Sequence, residues 1–121
     1  MTGEIYTDCF LEFSKAMHAQ DPTAKLGGPA CSDLELDFVE ELIRDGADAL
    51  DFVSLHAYPV GVNTKEVADK FAAIDQMRSA VRKIHKWIEL YQPDRKEHIE
   101  IGITEWNIKV NEDRDTADLI N

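Results

Sequence analysis

The chain has 121 residues, of which 44% are hydrophobic and 31% are charged, a composition that excludes a disordered or fibrous protein. Thirteen basic and 24 acidic residues give a formal net charge of -11, which would repel a nucleic-acid partner. No apolar run approaches the roughly 18 residues that a membrane span needs. The amino terminus has no signal-peptide pattern, and both a cytoplasmic and a secreted location stay open.

The first half of the chain predicts a helix, a short strand and a second helix. Residues 4–20 have helical periodicity, and the following Asp-Pro pair ends that helix. Residues 24–29 predict a strand that glycine and proline interrupt. The segment Ser32–Glu35 has the form of a capping box that opens the second helix, and Gly46 terminates it. The apolar stripe of the first helix consists of Ile5, Cys9, Phe13 and Ala16, with Met17 beside it.

The second half predicts a strand over residues 51–59, a long helix over about 65–91 and a strand over 99–107. A further helix starts at about residue 115. Strands that alternate with helices predict right-handed crossovers and a parallel sheet. Three strands fit either an open doubly wound sheet or an arc of a barrel. The arc is favoured because polar residues collect at the carboxyl ends of the last two strands.

The strand over 51–59 has one aliphatic and one polar face. Strand alternation places Ser54, His56 and Tyr58 on one face and the aliphatic residues on the other. In a barrel the aliphatic face packs against helices and the polar face points inward. Buried polar groups need hydrogen-bond partners, and a substrate pocket would supply them. The alternative is that His56 and Tyr58 cap each other or nearby carbonyl groups.

The last strand places a carboxylate at its carboxyl end. Ile101, Ile103, Glu105 and Asn107 lie in phase, so an aliphatic row ends in Glu105. There, low-dielectric walls and nearby solvent can tune the pKa and the nucleophilicity of a carboxylate. Trp106 and Asn107 add an aromatic surface for sugar C–H faces and an amide for hydroxyl groups. The alternative is a solvent-exposed glutamate at a strand end.

Three segments together resemble a known family. Gly27–Ala30, Asp51–Pro59 and Ile103–Asn107 are similar, in order and spacing, to strands five, six and seven of clan A glycoside hydrolases. Family 39, which includes β-xylosidases, is closest, and family 51 arabinofuranosidases are next. The resemblance implies that residues 1–121 are a fragment of one catalytic (β/α)8 TIM barrel. The fragment would run from helix four through strands five to seven to the start of helix seven.

The resemblance also implies an activity and the roles of particular residues. Glu105 matches the nucleophile, Tyr58 the tyrosine that orients it and His56 a histidine that lines the sugar site. Trp106 and Asn107 match positions near the substrate. The implied enzyme is a retaining glycosidase that cleaves O-glycosidic bonds of plant-type saccharides, such as β-xylosides, without a cofactor.

The acid/base glutamate of such an enzyme is missing from this chain. In clan A it follows an asparagine at the end of strand four, whereas the only Asn-Glu pair here is Asn111-Glu112, after the last strand. We therefore expect the full-length protein to be a glycosidase and the isolated chain to be inactive. The remaining barrel strands are needed to complete the domain. Without them, uncovered apolar rows are expected to lower stability or promote association.

Two other classes of protein stay open. A non-catalytic carbohydrate-binding or interaction module derived from such a barrel would keep the aromatic and polar surface. An unrelated nucleotide-binding α/β protein is disfavoured, because Gly27-Gly28-Pro29 is a poor phosphate loop. The scattered histidines predict no metal site. Cys9 and Cys31 lie among apolar or small residues and are expected to be buried free thiols.

Overall fold

The computed structural model describes residues 2–31, 36–58 and 67–106. They form three parallel strands, in the order β1-β2-β3, that alternate with helices. This confirms the predicted mixed α/β arrangement. No helix in this part of the chain is long and apolar enough to cross a membrane. The elements in chain order are α1 (Gly3–Gln20), β1 (Gly27–Cys31), α2 (Asp37–Asp45), a 3₁₀ turn (Ala47–Ala49), β2 (Phe52–Ala57), α3 (Val67–Tyr91) and β3 (Glu100–Trp106).

Several features predicted from the sequence lie outside the described residues. They are the capping box Ser32–Glu35, Pro59, Asn107, the pair Asn111-Glu112 and the helix from about residue 115.

The hydrophobic core lies between one face of the sheet and the helices α2 and α3. Val53 and Leu55 of β2 are fully buried and Ala57 nearly so, which confirms that the aliphatic face of this strand packs against helices. On α3 the buried surface includes Trp87 together with Ile84 and Ile88. The buried cluster consists of Val39, Leu42, Ile43, Leu50, Val53, Leu55, Ile84, Trp87, Ile88 and Ile99.

Helix α1 packs on α2 through small and hydroxyl side chains and an edge-to-face contact of Tyr6 with Phe38, rather than through its predicted apolar stripe. Gly3, Thr7 and Ser14 are its buried residues. A Cβ atom at Gly3 would overlap the Glu41 carboxyl group of α2, so glycine allows this close approach. The apolar stripe consequently points away from α2. Its exposed side chains are Ile5 at 52%, Phe13 at 67% and Met17 at 51%.

This packing corrects the prediction for the cysteines. Cys9 belongs to the stripe and is exposed, so the expectation of a buried thiol is wrong for this residue. Cys31, at the end of β1, is half-buried, and no disulfide joins it to Cys9. Periodicity identified the helix correctly, but it did not show which face the neighbouring helix covers.

Strand β1 begins later and runs further than its sequence suggests. Gly27 lies so close to β2 that an added Cβ atom would overlap the Phe52 carbonyl oxygen. The Gly28-Pro29 peptide bond is cis, and Ala30 has a φ of 56° in the left-handed region. The register shifts between Pro29 and Cys31, so a bulge carries the strand past the proline.

Asp51 ties the three strands together at their amino ends. Its carboxylate accepts a hydrogen bond from the Leu26 backbone N–H at 2.9 Å, and its own N–H donates to the Leu26 carbonyl at 2.8 Å. Its carbonyl accepts from the Glu100 N–H at 3.0 Å. Arg95 lies 3.9 Å from the same carboxylate group. The strands are thus fixed at this end, and the candidate site lies at the other.

Candidate functional site

A bulge near the end of β3 changes the face to which its side chains point. Ile103 lies opposite Leu55 of β2, whereas the next residue of β2, His56, lies opposite Glu105. Thr104 is therefore the extra residue of β3. Residues opposite each other in a parallel pair share a face, and one inserted residue moves all later side chains to the other face.

The bulge corrects the phase predicted for Glu105. Strict alternation placed Glu105 in line with Ile101 and Ile103, but these two isoleucines lie opposite Val53 and Leu55 on the helix-covered face. Beyond the bulge, Glu105 lies on the opposite face, together with His56. The aliphatic row of β3 therefore ends at the bulge. The Glu105 carboxylate lies on the same face of the sheet as the polar side chains of β2.

Glu105, His56 and Tyr58 meet at the carboxyl ends of β2 and β3. The Tyr58 hydroxyl donates a hydrogen bond to Oε2 of Glu105 at 3.0 Å. His56 Nδ1 lies 3.5 Å from the same oxygen. The side chain of His56 is 20% exposed and that of Glu105 is 55% exposed. The three residues that the sequence singled out on separate strands thus form one cluster, open to solvent on the side of the carboxylate.

The two oxygens of Glu105 have different surroundings. Oε2 receives both contacts, and no side chain or backbone group of the described residues donates a hydrogen bond to Oε1. A hydrogen bond to a charged acceptor is worth about 1.5–3 kcal/mol, enough to fix the plane of the carboxylate. If the imidazole is protonated, its contact with Oε2 is an ion pair. Among the described residues, both contacts therefore fall on one of the two carboxylate oxygens.

Two hydroxyl groups lie directly below this cluster. The Ser54 and Thr104 hydroxyl oxygens are 2.7 Å apart, and Thr104 Oγ1 lies 3.5 Å from the Leu55 carbonyl oxygen. Ser54 is only 4% exposed. The sequence placed Ser54 in the polar row, but Thr104 was missed, because alternation puts it out of phase with Glu105. The only signal in the sequence was that a hydroxyl-bearing residue shortly precedes both His56 and Glu105.

Trp106 does not join the cluster. It lies opposite Ala57, which belongs to the helix-covered face, and it is 74% exposed. The residue that follows Glu105 along the strand therefore points to the other side of the sheet. Asn107, the remaining residue predicted to contact substrate, lies outside the described part of the chain.

An open apolar groove of about 550 Å³ lies away from the cluster, between α1 and the beginnings of β1 and β2, and is lined by Phe10, Phe13, Leu26 and Phe52 among others. Across residues 2–31, 36–58 and 67–106, no group of three or more histidine, cysteine or acidic side chains is arranged to hold a metal ion. The described chemistry of the site is that of a carboxylate, a phenol and an imidazole.

Comparison of the sequence with models of protein families gives no match, and comparison with curated proteins gives no significant match.

Proposed function

We propose that this chain is part of the (β/α)8 barrel of a retaining glycoside hydrolase and that Glu105 is its nucleophile. The substrates are plant-type oligo- or polysaccharides, such as β-xylosides. One observation carries the proposal: Tyr58 and His56 both contact Oε2 of Glu105 at the carboxyl ends of neighbouring parallel strands. Barrel enzymes place their reacting groups at this end of the strands.

The arrangement of the sheet supports a barrel arc. Helices α2 and α3 pack on one face of the sheet, through residues such as Leu42 and Ile84. Ser54, His56 and Glu105 lie on the other face, which in a closed barrel is the inner one. The remaining strands would enclose that face and supply the walls of the sugar site.

The chemistry follows from the two oxygens of Glu105. Oε1 attacks the anomeric carbon, the glycosidic C–O bond breaks, and an acid on another strand gives its proton to the leaving oxygen. The product is a glycosyl ester of Glu105, which water then hydrolyses with help from the same acid/base group. Retaining enzymes need that second carboxyl group about 5–5.5 Å from the nucleophile. The resemblance to clan A enzymes implies that this group is a glutamate at the end of barrel strand four, and we propose the acid/base role for it.

His56 is the residue of the cluster best suited to contact the sugar. Its Nδ1 faces Glu105, which leaves Nε2 to bond a sugar hydroxyl group at the barrel mouth. Substrate contacts by Trp106 and Asn107 are supported only by their resemblance to family positions. We therefore place His56 before them in the proposed sugar site.

Replacement of the proposed nucleophile tests the function directly. In the full-length enzyme, Glu105→Gln is expected to lower turnover of aryl glycosides by on the order of 10⁴-fold or more and to leave the fold intact. The matched control is Glu100→Gln, on the same strand, where an exposed carboxylate only pairs with Lys25. The control should keep full activity. Near-full activity of the Glu105→Gln enzyme would end the nucleophile assignment.

A carbohydrate-binding module derived from such a barrel is the second candidate. The observation that favours it is the exposed Trp106 side chain, since flat aromatic rings stack on sugars. In that case the full-length protein would bind xylo-oligosaccharides in calorimetry and would not turn over any aryl glycoside. Glu105→Gln would then weaken binding only by the loss of its hydroxyl contacts.

A further inference from the structure

We propose that Thr104 is a positioning residue, which together with Ser54 holds the bulge of β3 and thereby turns Glu105 toward His56 and Tyr58. The consequence for catalysis rests on the proposed function, whereas the consequence for the position of Glu105 does not. Thr104 acts through Glu105 and is not assigned a contact with substrate.

The position of Glu105 depends on the bulge. Without the extra residue, Glu105 would lie opposite Ala57 rather than His56, on the face that the helices cover. A carboxylate there would lie on the other side of the sheet from the polar residues of β2, at the register position that Trp106 now occupies. It would also lose Tyr58 and His56 as neighbours. The bulge is thus the feature that brings the three groups of the site together.

A bulge leaves backbone groups of the ladder unpaired, and something must replace the lost pairing. Here the Thr104 hydroxyl lies 2.7 Å from the Ser54 hydroxyl and 3.5 Å from the Leu55 carbonyl oxygen. These are side-chain links from the inserted residue to the neighbouring strand. Ser54 is 4% exposed, so water competes poorly for its hydroxyl group. The link lies one residue below the His56–Glu105 pair, where it can fix the direction in which the strand leaves the bulge.

The hydroxyl group of Thr104, rather than its shape, is what the inference requires. Valine has nearly the same volume and the same branched Cβ atom, but it cannot bond to Ser54. Serine keeps the hydroxyl and loses the methyl group. Thr104→Val should therefore release Glu105 from Tyr58, and Thr104→Ser should retain the contact.

The experiment measures the position of Glu105 and its reactivity in the same variants. The first readout is the set of nuclear Overhauser contacts of the Glu105 side chain with the Tyr58 and His56 rings. The second is the rate at which an activated 2-fluoroglycoside labels Glu105. Thr7→Val is the matched control, because the Thr7 hydroxyl is buried and has no hydrogen-bond partner among the described residues.

We expect Thr104→Val and Ser54→Ala to lose the contacts and to label about tenfold more slowly, as the loss of one hydrogen bond would predict. Thr104→Ser and Thr7→Val should match the unaltered chain in both readouts. Contacts that persist unchanged in Thr104→Val would overturn the inference. If that variant does not fold, Ser54→Ala decides in the same way, because it removes the link from the other side.

The two readouts separate this inference from the proposed function. If the unaltered chain and the full-length protein take up no label, the nucleophile assignment fails, yet the ring contacts still decide whether Thr104 holds the bulge. If Glu105 is labelled equally fast in the unaltered chain and in Thr104→Val, with its contacts kept, the function stands and the positioning role is refuted.

Discussion

The orientation of Glu105 depends on the Tyr58 hydroxyl more than on any other described side chain. That hydroxyl donates to Oε2 at 3.0 Å, a shorter contact than the 3.5 Å from His56 Nδ1. A carboxylate held in one plane reaches its reacting geometry with less loss of entropy than a freely rotating one. In the proposed reaction, the same hydrogen bond makes Oε2 the less nucleophilic of the two oxygens and leaves the attack to Oε1.

Removal of the Tyr58 hydroxyl is therefore expected to slow the reaction of Glu105. Tyr58→Phe should lower the rate of labelling by an activated 2-fluoroglycoside about 10- to 100-fold, the value of one hydrogen bond to a charged acceptor. The matched control is Tyr91→Phe, which removes a similar bond, from the Tyr91 hydroxyl to a Glu40 carboxylate oxygen at 3.0 Å, away from the site. Equal labelling rates for the two variants would contradict the role given to Tyr58.

Tyr91 also gives the chain a pH-dependent contribution to stability. Its hydrogen bond to the Glu40 carboxylate raises the pKa of its phenol above the ordinary value of 10.0, with a further increase from loss of hydration. A raised folded-state pKa means that this stabilisation is complete below about pH 10 and is lost as the pH rises through the folded value. Urea unfolding at increasing alkaline pH should therefore show a smaller loss of stability for Tyr91→Phe than for the unaltered chain. An identical alkaline loss in both would rule out the coupling.

At the scale of elements, the molecule departs from regular patterns at two bulges on either side of β2. One lies between Pro29 and Cys31 of β1, the other at Thr104 of β3, and both adjoin the register position of Leu55. The central strand β2 has no inserted residue. Each of its two neighbours has a register shift near the carboxyl end of the sheet. Bulges of this kind commonly redirect a side chain beside a functional site.

The elements themselves were predictable, while the contacts between them were less so. Helix and strand patterns located α1, α2, α3 and all three strands. In α2 and β2 the buried residues recur with the periods of about 3.6 and 2 residues that a covered face imposes. The bulge at Thr104 could not be seen this way, since an inserted residue leaves the local composition unchanged. The exposure of the apolar stripe of α1 could not be predicted either, for a different reason. Gly3 and Thr7 permit close packing on α2, and no apolar pattern marks such a contact.

For the candidate site, too, the residues could be predicted from the sequence better than their contacts. His56, Tyr58 and Glu105 were singled out by their residue types at strand ends, and the structure brings them together. Their roles are proposals that the geometry supports. Trp106 was grouped with them because it is adjacent in sequence, but after the bulge it points to the other face. Thr104 was missed because its importance arises from register rather than from residue type.

The aliphatic side chains of α2 are buried, whereas the apolar stripe of α1 is exposed. We therefore expect side-chain truncations on the two helices to lower the free energy of unfolding by very different amounts. Leu42 of α2 is fully buried between the sheet and α3, so Leu42→Ala should lower the free energy of unfolding by about 2–5 kcal/mol. Phe13 of α1 is 67% exposed, and Phe13→Ala should change it by less than about 0.5 kcal/mol. Urea denaturation of the two variants measures both values. A large loss for Phe13→Ala would show that the stripe of α1 is buried after all.

At the scale of the whole molecule, the residues that stabilise the sheet and the residues of the candidate site lie on different parts of it. Asp51 ties the strands at their amino ends, and the helices bury the aliphatic face. The polar face and the carboxyl ends carry the cluster around Glu105. This division is the one that barrel enzymes use, in which the two ends of the strands serve different purposes.

Mass spectrometry of the protein after incubation with an activated 2-fluoroglycoside tests the central claim most directly. An activated leaving group needs no acid, so the experiment isolates the nucleophile, both in this chain and in the full-length protein. We expect a covalent glycosyl adduct that peptide mapping assigns to Glu105, at least in the full-length protein. No adduct in either protein, or an adduct on a different carboxylate, would contradict it.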